Sequence, residues 1–230
     1  MAKFIAKIIQ LFSWISIRPF LKFFLRIEIV GKKDLCNLKK PLIIVTNHTT
    51  SLDPFLVGSA FPLCSKVIPI RFAIWHKYYH FPSPYALLAQ PMGGFPVQKK
   101  IGLCKTLNPG IEALKKGEVV GIFPEGKRVH FGRPRKGRRG AAYMSMKTGA
   151  SLLPISIRGT MGLNSKNFFF RKRNVKIYIG EIFNLPGHLT DCNSISQLNE
   201  ASDFVISKIR ELPQKFDKVT EVVINGEGYV

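Results

Sequence analysis

A histidine and an aspartate lie five positions apart in the stretch NHTTSLDP, residues 47–54. Five steps along a helix, at about 100° each, leave His48 and Asp53 roughly 140° apart, and an odd interval along a strand sends them to opposite faces. Only a turn between two elements brings the imidazole and the carboxylate together. Such a pair could deprotonate a hydroxyl group, because a carboxylate orients a histidine that acts as general base.

The residues on either side predict that turn. The preceding run PLIIVT is short, apolar and β-branched, as expected of a buried strand. Asp53 and Pro54 fit the N-cap and the first position of a following helix. His48 is therefore expected at the carboxyl end of a strand, where open α/β sheets bind their ligands.

Two further stretches carry charged residues that could join this pair. FPEGKR directly follows an apolar run, so Glu125 and Arg128 are expected at the same edge of the sheet. GGFPVQKK combines glycines, which allow close approach of the backbone, with the cations Lys99 and Lys100. An arginine can bind a phosphate through two parallel hydrogen bonds, and a lysine adds a point charge. The three stretches together predict a base beside an anion-binding group.

The rest of the chain predicts the scaffold that positions these residues. Strands alternate with helices, which predicts an α/β fold with a mainly parallel central sheet flanked by helices. In NPGIEALKKG, Asn108 fits an N-cap, Pro109 the first helical position and Gly117 the residue just past the end. The predicted strands are 41–46, 67–74, 119–123, 152–157 and 175–180, and the predicted helices are about 53–60, 108–117, 140–149 and 194–211.

The charge of the chain points to an anionic partner. The formal net charge is +21, and residues 1–190 carry 31 Lys and Arg against 7 Asp and Glu. Residues 191–230 carry 4 against 7, so the excess lies in the body of the chain. Nucleic acid and anionic lipid both fit such a surface. No RNP pattern, zinc finger or helix-turn-helix signature supports nucleic acid.

The first thirty residues favour the lipid. Phe, Ile, Leu and Trp dominate them, and the basic residues fall on one helical stripe about 140° wide: Lys3, Lys7, Arg18, Lys22 and Arg26. The longest uncharged run has ten residues, whereas a membrane-spanning helix needs about 20. With Pro19 starting a second helix or kinking the first, we predict a pair of amphipathic helices in a membrane interface over residues 1–30. Packing on the protein's own core is the alternative.

Four blocks resemble those of the glycerolipid acyltransferases, the family of the 1-acyl-glycerol-3-phosphate acyltransferases. NHTTSLDP is similar to the block NHxSxxD, GGFPVQK to the second, FPEGKR to the third, and LLPISIRGT, with Pro154 as its marker, to the fourth. Order and spacing agree across roughly residues 20–185. Lys127 stands where the family usually has Ser or Thr, and Lys99 where it usually has Arg. Both keep or add positive charge, which favours an anionic acceptor.

The resemblance implies that the protein moves a fatty acyl group from a thioester to the free hydroxyl of lysophosphatidic acid, giving phosphatidic acid. His48 would be the general base, oriented by Asp53, without a covalent intermediate. Another lysolipid or glycerol phosphate is the alternative acceptor. The implied substrate-binding residues are Glu125, Gly126, Arg128 and Lys99, with Lys127, Arg138 and Arg139 as secondary candidates. Residues 31–230 would form the catalytic domain.

The run KRVHFGRPRKGRRG, residues 127–140, contains seven basic residues and no acidic one. It could contact lipid headgroups, the phosphates of coenzyme A or an acidic acyl carrier protein. A solvated loop that helps adhesion to an anionic membrane is the alternative. Within the run, Arg138 or Arg139 lies where the family often has a lysine near the acceptor phosphate.

No cofactor is expected beyond the co-substrate, which is acyl-CoA or an acyl carrier protein thioester. No metal site is predicted, because the four cysteines are scattered and His76 and His80 lack a third ligand. The cysteines are expected to be reduced thiols. The expected partners are anionic membrane lipids, the lysophospholipid acceptor and the thioester donor, with no specific nucleic acid. We therefore expect a peripheral or monotopic protein at the cytoplasmic face of the cell membrane.

Overall fold

A computed structural model of the chain describes residues 2–80, 86–98, 101–128, 136–163, 165–170 and 173–226. The helices in these ranges are α1 (Ala2–Leu25), α2 (Asp53–Ala60), α3 (His76–Tyr79), α4 (Ala86–Ala89), α5 (Leu103–Lys115), α6 (Gly140–Thr148), α7 (Ser165–Phe169) and α8 (Ile195–Gly226). The strands are β1 (Glu28–Gly31), β2 (Leu42–Thr46), β3 (Ile70–Trp75), β4 (Phe95–Val97), β5 (Val119–Ile122), β6 (Ser151–Arg158) and β7 (Lys176–Ile179).

These strands form one sheet in the order β1-β7-β6-β2-β5-β3-β4. Strands β2 to β6 run parallel, whereas β7 is antiparallel to β6 and β1 is parallel to β7. Every residue of β2 is buried, as expected of a central strand in a parallel sheet covered on both faces. The predicted α/β fold with a mainly parallel sheet flanked by helices is confirmed.

Alternate residues of β2 face two separate cores. Leu42 and Ile44 pack in the core that α1 and α2 cover, and Ile43 and Val45 in the core that α5, α6 and α8 cover. This two-sided burial fixes the strand in the middle of the sheet. The carboxyl end of β2, where His48 follows, is thereby held in a fixed position.

Two helices differ in extent from the sequence prediction. The helix predicted from Asn108 begins at Leu103, so Pro109 lies inside it. Leu107 and Ile111 of α5 are buried one helical turn apart, and this apolar face continues the helix through the proline. Similarly, α8 was predicted to end near residue 211 but continues past Pro213 to Gly226.

The N-terminal segment is one continuous helix rather than the predicted pair, with Pro19 inside it. One face of α1 packs on the domain, where Leu21 and Leu25 are buried and Trp14 Nε1 donates a 2.8 Å hydrogen bond to the Phe61 carbonyl. Large apolar side chains on the remaining surface are exposed: Phe4, Ile5, Ile8, Phe12, Ile15, Phe20 and Phe23. Core packing and an outward apolar face therefore coexist, and the domain boundary at residue 30 stays a prediction.

The length of α1 also departs from the sequence argument. Within α1, the 22-residue segment Phe4–Leu25 is long and apolar enough to cross a membrane, although its longest uncharged run is short. Length and composition do not separate a spanning helix from a signal sequence or from the core helix of a soluble protein.

The structure joins Cys36 and Cys64 in a disulfide, with Cα atoms 5.2 Å apart. The expectation of four reduced thiols is therefore wrong for these two, whereas Cys104 and Cys192 are free. The two bonded cysteines are 28 residues apart, before β2 and after α2. Only the fold brings them together, so the pairing cannot be deduced from their spacing along the chain.

Candidate active site

The loop from β2 to α2 brings His48 and Asp53 into contact. His48 Nδ1 lies 2.8 Å from Asp53 Oδ2, which also accepts the backbone N–H groups of Thr49 at 2.7 Å and Thr50 at 2.9 Å. The Asp53 side chain is fully buried, and the His48 side chain keeps 21% of its surface exposed. Because the carboxylate accepts at Nδ1, the imidazole carries its proton there and Nε2 can accept another.

Asp53 does not cap α2 as the sequence predicted. The residue before the helix is Leu52, and no side chain caps it. The Asp53 carboxylate instead turns back to the loop that precedes it, where it accepts the N–H groups of Thr49 and Thr50. The carboxylate thus orders the loop that carries His48.

Side chains on both sides of His48 hold this loop against β6. Asn47 Nδ2 donates to the Ile157 carbonyl at 2.9 Å, and Asn47 Oδ1 accepts the Ile157 N–H at 2.7 Å. The hydroxyl groups of Thr49 and Thr160 lie 2.6 Å apart. Sequence reasoning assigned no role to these three residues, although Asn47 and Thr160 belong to the first and fourth motif blocks.

Glu125 follows β5 and reaches the backbone of the same loop. Its Oε2 accepts the His48 N–H at 3.3 Å. Burial raises the pKa of the Glu125 carboxyl group above its ordinary value of 4.5, against the opposing effects of this hydrogen bond and of His48 and Arg210. Glu125 therefore holds the backbone of His48 and does not contact Nδ1, the ring nitrogen that faces Asp53.

Two aromatic rings extend from the histidine. The His48 ring stacks on Phe123 with centroids 4.1 Å apart, and Phe123 stacks on Phe72 at 5.8 Å. Roles in FPEGKR were predicted only for its charged residues and Gly126, and Phe123 was missed. Its position between β5 and Glu125, at the sheet edge where His48 was expected, could have indicated that the Phe123 ring lies next to the histidine.

Cationic side chains converge on the same cleft as His48. The candidates Gly126, Lys127, Arg128, Arg138 and Arg139 all line it. Gly126 has φ of 64° and packs against the Arg138 side chain, so a Cβ there would collide with it. Within the described ranges, no hydrogen bond or ion pair involves the side chains of Lys127, Arg128 and Arg138, whereas Arg139 Nε donates to Asn199 at 2.8 Å. Lys99 and residues 129–135 of the basic run lie outside the described residues.

The cleft has a volume of about 1240 Å³ and two chemically different parts. Around His48 and the turn after β5 its lining is cationic. The other part runs between α1, α2 and β3, along Trp14, Ile17, Phe55 and Ile74, and its lining includes Arg18, whose guanidinium lies 4.2 Å from the centroid of the Trp14 ring. An amphipathic molecule could place an anionic group at one end and a hydrocarbon chain at the other, with its reacting atoms at His48.

Metal ligands do not gather in this cleft. Across the described ranges, no group of three or more His, Cys, Asp and Glu side chains could hold a metal ion. The rings of His76 and His80 lie 4.4 Å apart at α3. The residues present at the site are those of proton transfer and anion binding.

Comparison with known proteins identifies relatives of the chain. The model of the Acyltransferase family matches residues 26–158. The chain is 32% identical to a chloroplastic 1-acyl-sn-glycerol-3-phosphate acyltransferase of Arabidopsis thaliana, over 69% of this chain and 42% of that protein. It is 28% identical to the enzyme of that name from Borreliella burgdorferi, over 67% and 60%, and 25% identical to that from Pseudomonas aeruginosa, over 80% and 68%.

A solved structure shares the fold. The crystal structure of the 1-acyl-sn-glycerophosphate acyltransferase of Thermotoga maritima superposes with a TM-score of 0.62, at 22% identity, covering 92% of this chain and 81% of that one. The chain spans between 42% and 68% of the lengths of the three curated relatives.

Proposed function

This chain belongs to the acyltransferase family, as its four sequence blocks predicted, and we propose that it acylates the free hydroxyl of lysophosphatidic acid to form phosphatidic acid. The observation that carries the proposal is the position of the His48–Asp53 pair at the junction of the cationic and apolar parts of one cleft. A phosphorylated lysolipid has the same division into an anionic group and a hydrocarbon chain, with its hydroxyl between them.

The proposed reaction is direct transfer. His48 Nε2 takes the proton of the acceptor hydroxyl while its oxygen attacks the thioester carbonyl carbon. The tetrahedral intermediate collapses, the carbon–sulfur bond breaks, and the imidazolium returns its proton to the leaving thiolate. Asp53 accepts the Nδ1–H throughout and stabilises the imidazolium when it forms. Atoms and protons balance without an enzyme nucleophile.

The proposed phosphate site is the cationic part of the cleft. Arg128 can bind two phosphate oxygens at once, and Lys127 adds charge beside it. Glu125 and Gly126 lie between these cations and His48, where the glycerol end of the acceptor would pass. Lys99 remains a candidate for the same phosphate on sequence grounds. Glycerol phosphate or another lysolipid is the alternative acceptor, since it would present a comparable anion.

The apolar part of the cleft would hold the acyl chain of the donor beside the hydrocarbon chain of the acceptor. Acyl-CoA and acyl carrier protein both present a thioester on a flexible arm, and either donor is anionic. The basic residues Lys136 and Arg138 line the cleft on the side that would meet such a donor. No further cofactor enters the proposed reaction.

We also propose that the protein works on the cytoplasmic face of a membrane, as a peripheral or monotopic protein. The support for membrane association is α1, which docks one face on the domain and turns apolar side chains outward. Lys7 and Lys22 are exposed on this helix and would face anionic headgroups. An outward apolar face would serve no purpose in binding nucleic acid, the other partner compatible with the charge.

The test is an acyl-transfer assay read by mass spectrometry. Purified protein receives acyl-CoA or acyl carrier protein thioester together with lysophosphatidic acid, glycerol-3-phosphate or a neutral lysolipid. Phosphatidic acid should form and be lost in His48→Ala, while the control His188→Ala, at an exposed histidine elsewhere, keeps activity. Product from another acceptor alone would refute the proposed specificity. Absence of product with either donor would refute the activity.

The membrane proposal needs a separate test that leaves the core intact. Deleting residues 1–30 would remove Leu21 and Leu25, which are buried in the core, and so would destabilise the domain. Replacing the exposed Phe4, Ile8 and Phe12 by serine changes the outward face alone. Flotation with vesicles of phosphatidylcholine and phosphatidylglycerol should show weaker binding, and unchanged binding would refute the role of this face.

A further inference from the structure

A second aromatic cluster lies beside the C-terminal end of α1. Three consecutive phenylalanines lie here: Phe168 and Phe169 end α7, and Phe170 follows it. The Phe168 ring stacks on Phe24 of α1 with centroids 5.3 Å apart, and Phe169 meets Phe24 edge-on at 5.6 Å. Phe168 and Phe24 are only partly exposed, and the more exposed rings around them pack against these two.

The outer rings form a continuous exposed surface, which we call the aromatic patch: Phe20, Phe23, Phe169 and Phe170. Their exposed fractions are 45%, 55%, 58% and 72%. Phe20 and Phe168 have centroids 5.5 Å apart, and Phe23 and Phe24 5.1 Å, so α1 and α7 contribute to one surface. Single exposed apolar residues are common on soluble proteins, but contiguous patches mark interaction sites.

The surroundings of the aromatic patch are cationic. Lys22, Arg26 and Lys166 are exposed beside it, and Arg173 is half-buried nearby. The sequence of residues 18–27 and of residues 159–174 contains no acidic residue. Aromatic rings and basic side chains together suit the headgroup region of an anionic bilayer, where the rings enter the apolar boundary and the cations meet phosphates.

The aromatic patch lies at the same edge of the sheet as His48. Strand β6 ends at Arg158 on this edge, and Thr160 just beyond it contacts Thr49 of the histidine loop. The end of α1 is attached there too, because the Val175 N–H donates to the Leu25 carbonyl at 3.0 Å. The patch and the catalytic pair therefore lie at the same edge of the sheet.

We infer that the aromatic patch is a second membrane contact, which inserts into an anionic lipid interface and turns the His48 edge of the sheet toward the bilayer. This rests on the membrane association proposed above, but assigns it to α7 as well as α1. A lipid surface fits better than a second copy of the chain, because two identical patches would bring like charges together. Two contacts on different elements restrict the orientation of the domain on the membrane more than one contact does.

The test is vesicle flotation of a double variant, Phe169→Ser with Phe170→Ser. Both side chains are mostly exposed, so the fold should persist, which far-UV circular dichroism checks. We expect the partition coefficient on vesicles containing phosphatidylglycerol to fall about tenfold. The matched control is Ile195→Ser, at an apolar residue 62% exposed on α8 beside the other core, which should bind as the parent does. Equal binding of the double variant and the parent would overturn the inference.

Activity measurements separate this inference from the proposed function. With short-chain substrates that dissolve as monomers, the double variant should match the parent, whereas with substrate in vesicles it should be slower. Loss with both kinds of substrate would overturn the inference by showing damage to the cleft. A change in oligomeric state without a change in flotation would also overturn it, because the patch would then join two copies of the chain.

A direct measurement of depth does not rely on loss of binding. Phe170→Trp introduces an indole at the tip of the patch, and lipids brominated on their acyl chains quench indoles that enter the bilayer. Quenching beyond that of the parent, which contains Trp14 and Trp75, supports insertion. No additional quenching on bound protein would overturn it.

Discussion

The fully buried Asp53 carboxylate accepts hydrogen bonds from the histidine and from its own loop, whereas Lys127, Arg128 and Arg138 face the cleft without a hydrogen bond or ion pair among the described residues. The first region is organised by folding alone. In the second region, the cationic side chains are available to bind an anionic ligand, and such a ligand would order them on binding. For the proposed reaction we expect substitutions in the buried pair to change mainly kcat and substitutions of the cations to change mainly the KM for the acceptor, since geometry preset before substrate arrives acts on the chemical step.

The strongest test of this contrast is His48→Ala. Removing the base should lower kcat about 10³-fold or more, with little change in the KM for the acceptor, because the cations remain. Steady-state kinetics at several acceptor concentrations separates the two constants. His188→Ala, at an exposed histidine paired with Glu200, serves as the control. A rise in KM with kcat preserved would reverse the assignment.

Asp53→Asn probes the organisation of the pair without a change of size. We expect kcat to fall about 10² to 10³-fold, because an amide neither fixes the Nδ1 tautomer nor stabilises the imidazolium. The melting temperature should fall as well, since the backbone N–H groups of Thr49 and Thr50 lose a charged acceptor. Asp203→Asn, on the exposed surface of α8, should change neither quantity.

Arg128→Lys and Arg128→Ala test the other side of the comparison. The KM for a phosphorylated acceptor should rise about tenfold for lysine and about a hundredfold for alanine, with smaller effects on kcat, because lysine keeps the charge but loses the paired hydrogen bonds. Isothermal titration with a non-reactive phosphorylated analogue measures the same loss directly. Lys116→Ala removes an exposed cation at the end of α5 and should leave KM unchanged.

Asn47→Ala tests whether the fixed position of His48 and Asp53 depends on the hydrogen bonds that join their loop to β6. The free energy of unfolding should fall by about 1–3 kcal/mol, because the N–H and carbonyl groups of Ile157 both lose a partner. Urea denaturation measures this loss. If kcat falls beyond what the unfolded fraction explains, the attachment also positions His48. Unchanged stability would show that the two hydrogen bonds contribute nothing.

The smallest effect is expected at Glu125, where burial raises the pKa of the carboxyl group above 4.5. The folded protein then binds this proton more tightly than the unfolded chain, so the contribution to stability is present below the ordinary pKa and is lost as pH rises through the raised one. Glu125→Gln should therefore be more stable than the parent at neutral pH and equal to it below pH 4.5. Urea denaturation at both pH values checks this, and an equal difference at both would contradict it.

Local patterns predicted β2, β3, β5, β6 and β7 and the meeting of His48 with Asp53, because a buried β-branched run followed by a helix start leaves few other arrangements. They missed β1 and β4, the two short strands at the edges of the sheet. Contacts between distant segments escaped the sequence. Asn47 meets Ile157 and Cys36 meets Cys64 only in the folded chain. The start of α5 was missed because its buried face outweighs the local signal of Pro109. The candidate cations were named, but only the tertiary structure shows that, among the described residues, Arg139 has a side-chain partner whereas Lys127, Arg128 and Arg138 have none.

The row of rings from Phe72 through Phe123 to His48 has a consequence for water. A transferase must favour a scarce alcohol over the solvent, which can hydrolyse the same thioester. Phe123 covers one face of the imidazole, and the buried Asp53 occupies its Nδ1 side, so the base is accessible from few directions. If the acyl chain fills the apolar part of the cleft in the proposed reaction, water would reach the thioester past the cations, where the acceptor phosphate would bind. We therefore expect the ratio of transfer to hydrolysis to rise as the acceptor fills the cationic part of the cleft.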